Sequence, residues 1–213
     1  MTAAATSRSQ EERRSETIAR LLDATIAALA ACGYSNTTVK EICSRADRSQ
    51  GALFRHFSTR TDVIVAAAEE IARRHVAQVA NAVSTTKGAM SPERAVRLLY
   101  DITRTARHAA WREVVVAART DPALHEGLRE PLQQFERAVF EMIPVVFELK
   151  EGADPLRFAV LVFSIMHMFD SEALTAAVYD NPEVEAVRIA WAIDLLAQEL
   201  ETSTRGGISD EAT

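Results

Sequence analysis

Between Thr37 and Phe57 the chain reads TTVKEICSRADRSQGALFRHF, and its reactive side chains suit binding rather than bond-making. The amide of Gln50 can pair bidentately with an adenine edge, and Lys40, Arg48 and Arg55 surround it with cations. Spacing says how they are carried. Thr38 lies three residues before Glu41, so hydroxyl and carboxylate can cap each other's free backbone N–H groups. The helix that starts there puts Val39, Ile42 and Ala46 on one face. Ala46-Asp47-Arg48 breaks the pattern, and Ser49 can cap a second helix. That second helix turns Leu53 and Phe57 toward a core and leaves Gln50, Gly51, Ala52, Arg55 and His56 facing out. Two short helices joined by a tight turn are the grammar of a helix-turn-helix, and the outward set fits a DNA major groove. Arg55 either clamps a phosphate or faces solvent.

Other chemistry finds little support. The sequence has no nucleophile motif, phosphate loop or paired-carboxylate spacing, so no catalytic residue and no cofactor are expected. His108, His125 and His167 lack a zinc-ligand spacing such as HExxH, so no metal site is expected either. His167 and Asp170 interrupt an apolar helix, and a buried polar group there needs a partner. With His108, Trp111, His125 and Met166 they are the candidates for lining a small-molecule cavity. The alternative for each is an internal hydrogen bond or a contact at a subunit interface. Cys32 and Cys43 could form a thiol switch, or could serve as small buried hydrophobes.

The elements that must position these residues are helical. In 213 residues there are only seven glycines and six prolines, and 48% of the chain is apolar. No run of alternating polar and β-branched residues occurs, so the class is all-α. A helix from Glu16 to Cys32 carries Ile18, Leu21, Leu22, Thr25 and Leu29 on one stripe and ends at Gly33. After Phe57, Ser58-Thr59 caps a long helix from Arg60 to about Val83. Ser91-Pro92, Asp121-Pro122, Asp154-Pro155 and Asn181-Pro182 open four more, with a further segment near Ala110 to Arg119 and bends expected at Pro131 and Pro144. Loops are expected at Ser84–Met90 and Glu151-Gly152-Ala153.

Net charge is −6, with nine Lys/Arg against six Asp/Glu in residues 1–60 and a balance of −9 beyond. A basic end on an acidic body is the distribution a phosphate-binding head needs, because such attraction is local at physiological salt. Two cysteines exclude a disulfide-rich secreted scaffold. The polar N-terminus is neither signal peptide nor anchor. Phe158 to Phe169 is too short to span a bilayer. A soluble cytoplasmic protein without a membrane partner is the expectation.

The last helix carries one apolar stripe of Ile189, Ile193, Leu196 and Leu200 and a second of Val184, Val187, Trp191 and Leu195. One face can pack on the protein's own core, and the other needs a cover. A homodimer built on the last two helices is expected, with Ile189, Ile193, Leu196 and Leu200 as its interface. A fully buried central pair in a monomer is the alternative.

The stretches LLDATIAALAACGY, TTVKEICSRA, SQGALFRHF and the Arg60-x-Asp62-Val63 that follows resemble the tetracycline-repressor (TetR) family of bacterial transcriptional regulators. The resemblance implies a three-helix DNA-binding domain (16–62) and a larger helical domain that binds an effector and dimerises (63–201), while the polar ends are expected as a flexible tail (1–15) and a loose tail (202–213). It also implies an Ω-shaped homodimer. By position, Gln50, Gly51 and Ala52 would face bases, while Thr38, Lys40, His56 and Arg60 would hold phosphates. The partners implied are double-stranded DNA bearing an inverted repeat, a second copy of the chain and a small-molecule effector, with repression relieved when the effector binds. The chain departs from the family pattern in the turn, where Asp47 stands for a common Gly and Arg48, which could add a phosphate or base contact, for an apolar residue. Phe54 replaces a common Tyr, and Ala52 a common Thr.

Overall fold

Caps and prolines decide where the helices start. In the computed structural model, residues 3–86, 88–150 and 153–206 are described. They form α1 (Ala3–Asn36), α2 (Val39–Ala46), α3 (Gln50–Phe54), α4 (Arg60–Ser84), α5 (Pro92–Thr103), α6 (Ala106–Ala117), α7 (Pro122–Phe147), α8 (Pro155–Ala176) and α9 (Pro182–Gly206). No strand occurs among the described residues, and the all-α class holds. Ser91 caps α5 through the Arg94 amide, Asp121 caps α7 through the Leu124 amide, Asp154 caps α8 and Asn181 caps α9. Gly33 ends the regular part of α1 at φ 76°, in the left-handed region where a residue without Cβ carries no steric penalty.

Some boundaries differ from expectation. Residues 3–15, expected as a flexible tail, are helical, and α9 runs on to Gly206 into the expected C-terminal tail. Residues 207–213 and the expected turn at Glu151-Gly152 lie outside the described residues. α7 runs as one helix through Pro131 and Pro144.

The chain folds as two compact units, Met1–Arg73 with Ala106–Leu132, and Arg74–Thr105 with Gln133–Thr213. In the first, Leu21, Ala24, Ile42, Cys43, Ala46, Leu53 and Val63 form a small core beneath α2 and α3. A second cluster of Ile26, Leu29, Ile64, Ala67, Ile71, Ala110, Val114, Leu124 and Leu128 joins α1 and α4 to α6 and α7. The α4–α7 approach is close: a Cβ on Gly127 would stand 2.8 Å from Val65 Cγ2. The three helices expected as a separate head therefore share a unit with α6 and the start of α7.

The other unit is built on Val96, Ile143, Phe147, Phe158, Val162, Ile165, Phe169, Ala192 and Leu196. Here the last helix faces the opposite way from the one assigned to it above. Leu196 is fully buried, and Ile189, Ile193 and Leu200 pack against that same core. The uncovered stripe is the other one, with Val184 40%, Val187 69% and Trp191 54% exposed. α8 leaves Leu156, Val160 and Leu174 exposed as well. The side-chain period of a helix fixes which residues share a face, but packing chooses the face that turns inward.

Two helical stretches, Gln10–Asn36 and Pro155–Ala176, are long and apolar enough to cross a membrane by length and composition. That corrects the expectation that the apolar run at 158–169 is too short, because α8 extends it at both ends. Both helices nevertheless bury a face in a protein core: Leu21, Ala28 and Leu29 from α1, Phe158 and Phe169 from α8. A core helix passes the same test of length and composition.

Candidate nucleic-acid interface

Local hydrogen bonding builds the α2–turn–α3 segment. Thr38 Oγ1 accepts the Glu41 amide at 3.1 Å and caps α2. The reciprocal half of the expected capping box is not formed. Thr38 N–H donates to the Asn36 carbonyl at 2.8 Å, and the Glu41 carboxylate takes Arg45, one turn on, at 2.6 Å. A complete reciprocal pair occurs instead at the start of α4. The Thr59 amide donates to Asp62 Oδ2 at 2.8 Å, and the Asp62 amide donates to Thr59 Oγ1 at 3.1 Å.

Asp47 ends α2 in the left-handed region, at φ 50° and ψ 52°. Its amide donates to the Ser44 carbonyl, and that of Arg48 to the Cys43 carbonyl at 3.0 Å, the paired bonds of a Schellman motif. Ser49 then caps α3, its hydroxyl accepting the Ala52 amide at 3.1 Å. The result is a rod with two characters. Leu53 has no exposure at all, while Gln50, Gly51 and Arg55 are exposed and Ala52 is half-buried. Phe54 adds a 48% exposed aromatic ring beside them. Lys40, Cys43, Ser44, Asp47, Arg48, Ser49 and Gln50 line an open cleft of about 570 Å³. Cationic, hydroxyl and amide groups thus converge on one open surface of α2 and α3, as phosphate and base-edge contacts require.

Asp47 is the anomaly in that surface, a carboxylate among phosphate-seeking groups. Replacing it by Gly relieves the left-handed conformation and removes the charge. Stability is expected to stay within about 0.5 kcal/mol, while affinity for duplex DNA rises several-fold at low salt and the gain fades as salt screens it. Anisotropy titrations across a salt series check this, and an affinity unchanged at every salt concentration would show that Asp47 stands clear of the phosphates.

Two expected contacts are placed differently. Arg60 is half-buried and already engaged. Its Nε donates to the Thr37 carbonyl at 2.8 Å, a second N–H donates to the Tyr34 carbonyl, and the guanidinium lies 4.3 Å from the centre of the Tyr34 ring. Its first task is to hold the α1–α2 corner. His56 is half-buried too, with a buried Nδ1 that finds no protein partner. Burial pushes the Cys43 thiol up, away from the thiolate, and Cys32 Sγ donates to the Ala28 carbonyl at 3.1 Å.

The six cavity candidates fall in both units. His108 is buried on α6, Trp111 half-buried on the same helix, and His125 exposed on α7. On α8, Met166 and Asp170 are half-buried, while His167 is exposed and stacks on Phe163 with ring centres 6.3 Å apart. Sequence reasoning missed a polar cluster in the second unit. There the Tyr100 hydroxyl and Arg104 both donate to Glu185, and Arg188 donates to the buried Glu172 at 2.7 Å. Burial, together with donation to Glu185, pushes the Tyr100 phenol up to about 12. It missed equally the link of Tyr34 to Asp121 and Glu113. Apart from Arg188 and Glu172, 16 residues apart, the partners lie some 80 residues apart, beyond any local spacing signal.

Comparison with known proteins gives the arrangement its context. Residues 21–67 match the model of the tetR family of bacterial regulatory proteins. The chain is 36% identical over 200 residues to the uncharacterised HTH-type transcriptional regulator Rv2912c of Mycobacterium tuberculosis, covering 91% of this chain and 99% of that protein. Among solved structures, the multidrug binding protein EbrR complexed with imidazole is similar at a TM-score of 0.62 and 22% identity, over 86% of this chain and 94% of its own. A transcriptional regulator from Saccharomonospora viridis in complex with choline is similar at a TM-score of 0.60 and 16% identity, over 88% and 96%. Those structures share the fold. The relatives are regulators and not enzymes. With a helix-turn-helix of this geometry and a relative this similar over nearly its whole length, the chain belongs to the TetR family of DNA-binding bacterial transcriptional regulators.

Proposed function

We propose that the protein is a homodimeric repressor that reads an inverted-repeat operator and leaves it when a small molecule binds. The observation that carries this reading is the two-sided α3, with Leu53 locked in the core and Gln50 and Gly51 offered to solvent. Gln50, Gly51 and Ala52 would meet base edges. Thr38, Lys40, Arg48, Ser49, Arg55 and His56 would meet the backbone or flanking bases, with Arg60 contributing through the corner it holds. Residues 16–62 would serve as the DNA-binding domain and 63–201 as the domain for effector and partner.

Support for a dimer comes from the uncovered apolar faces of α8 and α9, above all Val187 and Trp191. A symmetric pair would set two recognition helices one DNA turn apart, roughly 34 Å, and so demand an inverted repeat. The neighbours that hold imidazole and choline support a small-molecule effector. His108, Trp111, His125, Met166, His167 and Asp170 remain the candidates to meet it. Effector binding would shift α4, whose residues are shared between both compact units. A coupling of ~1–3 kcal/mol gives a useful response. A DNA partner goes with a cytoplasmic location.

Selection of duplexes from a random pool tests the reading. The wild-type protein should enrich an inverted repeat. Gln50→Ala should relax preference at one base pair of each half-site, a loss of about 1–3 kcal/mol there, whereas Lys40→Ala should weaken all sequences alike. Enrichment of no sequence would end the operator reading. Repression rather than activation is then decided by whether the recovered site overlaps the promoter it controls.

A further inference from the structure

We propose that Asp121 and Glu113, far from the DNA-reading surface in sequence, are positioning residues for operator recognition that act through Tyr34 and Arg60. The inference rests on the operator reading above. Its ground is a continuous set of bonds within the first compact unit.

The α1–α2 corner is where the recognition helices hang from the protein, and five side chains fix it. Tyr34 follows the left-handed Gly33, and its amide donates to Glu113 Oε2 at 3.0 Å. Its hydroxyl donates to Asp121 Oδ2 at 2.5 Å. Arg60 lies against the ring and draws in the carbonyls of Tyr34 and Thr37. Thr37 is fully buried and its hydroxyl donates to the Gly33 carbonyl at 2.7 Å, closing the loop of bonds. The next residue, Thr38, caps α2. Gly33, Tyr34 and Thr37, which set the direction in which α2 leaves α1, are thus held by side chains of the loop itself, of α4, of α6 and of the residue that caps α7.

The far end is equally fixed. Asp121 Oδ1 accepts the Leu124 amide at 3.0 Å, so one carboxylate both starts α7 and holds Tyr34. Glu113 sits so close to the corner that a Cβ on Gly33 would stand 3.0 Å from its Oε2. A rotation or slip of α6 or α7 must therefore pull on Tyr34, or break its bonds. Burial and donation to Asp121 raise the phenol's pKa, so the proton that makes the bond stays in place at neutral pH. Two helices outside the three-helix head, α6 and α7, in this way set the angle at which the head is presented.

The test uses the full-length protein, the duplex that it selects and an unrelated duplex of equal length. Tyr34→Phe deletes only the hydroxyl. Asp121→Asn keeps an oxygen for the Leu124 amide and puts an NH2 group where the Tyr34 hydroxyl donated, so the cap stays and Tyr34 loses its carboxylate acceptor. Both variants should bind the selected duplex roughly tenfold more weakly, with binding to the unrelated duplex unchanged. The double variant should be no worse than either single one, because both break the same bond. Glu113→Ala removes the acceptor of the Tyr34 amide and should show the same selective loss, which Glu113→Gln, keeping an acceptor there, should restore. Active fractions are measured by stoichiometric titration, so that unfolded protein is not counted as weak binding. Wild-type affinity in both Tyr34→Phe and Asp121→Asn, or equal losses on both duplexes, would overturn the proposal. Failure of the wild-type protein to select any duplex would instead remove the operator reading beneath it.

Discussion

Replacing Trp191 by Asp is expected to yield a folded monomer that no longer holds its operator. Trp191 is 54% exposed and Val187 beside it 69%, so the substitution should leave the subunit's own core, with Leu196 at its centre, intact. At a two-fold interface the same patch is used by both copies, so each substitution is felt twice. Full burial of an aromatic or branched apolar side chain contributes about 1.5–3 kcal/mol, and an aspartate buried there without a partner opposes association further. Two linked reading heads bind far more tightly than one. Separating them should cost about 10²–10⁴ in operator affinity with no contact to DNA removed. Sedimentation velocity and anisotropy on the same samples decide the matter. Trp191→Asp remaining dimeric and DNA-bound would show that this face is not the interface. Leu196→Asp makes the contrast: it should unfold the unit rather than release a sound monomer.

That reversal shows where the sequence stops being legible. The period of α9 announces two apolar stripes, and both exist. Which one turns inward depends on the shape of the surface presented by α5 and α8, and no local spacing encodes it. Capping is legible where one acceptor meets one donor, as at Ser49 and Ser91. It fails at Glu41, where Arg45 competes for the same carboxylate and wins. Arg60 was legible as a cation at the start of a helix, but the carbonyls that claim it belong to Tyr34 and Thr37, brought near only by the packing of α4 on α1. The outward face of α3 was readable at Gln50, Gly51 and Arg55, because a five-residue helix with a single buried leucine leaves little choice of orientation, whereas Ala52 and His56 are half-buried.

Leu53→Ala should abolish DNA binding altogether, by a route that leaves every DNA-facing side chain unaltered. Leu53 is the single buried residue of α3, and it has no exposed surface. The core beneath it is small, with Leu21, Ile42, Val63 and a few small residues as its buried members. Truncation removes the transfer energy of the side chain and leaves a cavity that a short, capped helix cannot easily collapse upon. A loss of about 3 kcal/mol is expected. With so few contacts holding α3, the loss should appear as local opening rather than global unfolding. Amide exchange should accelerate across residues 39–57, while the amides of α5 and α8 keep their protection. Gln50→Ala, three residues earlier on the outer face, should change exchange nowhere and alter only base preference. Should the two substitutions behave alike in exchange and in binding, the division of α3 into a buried anchor and a reading face would be wrong, and with it the assignment of Gln50, Gly51 and Ala52 to the bases.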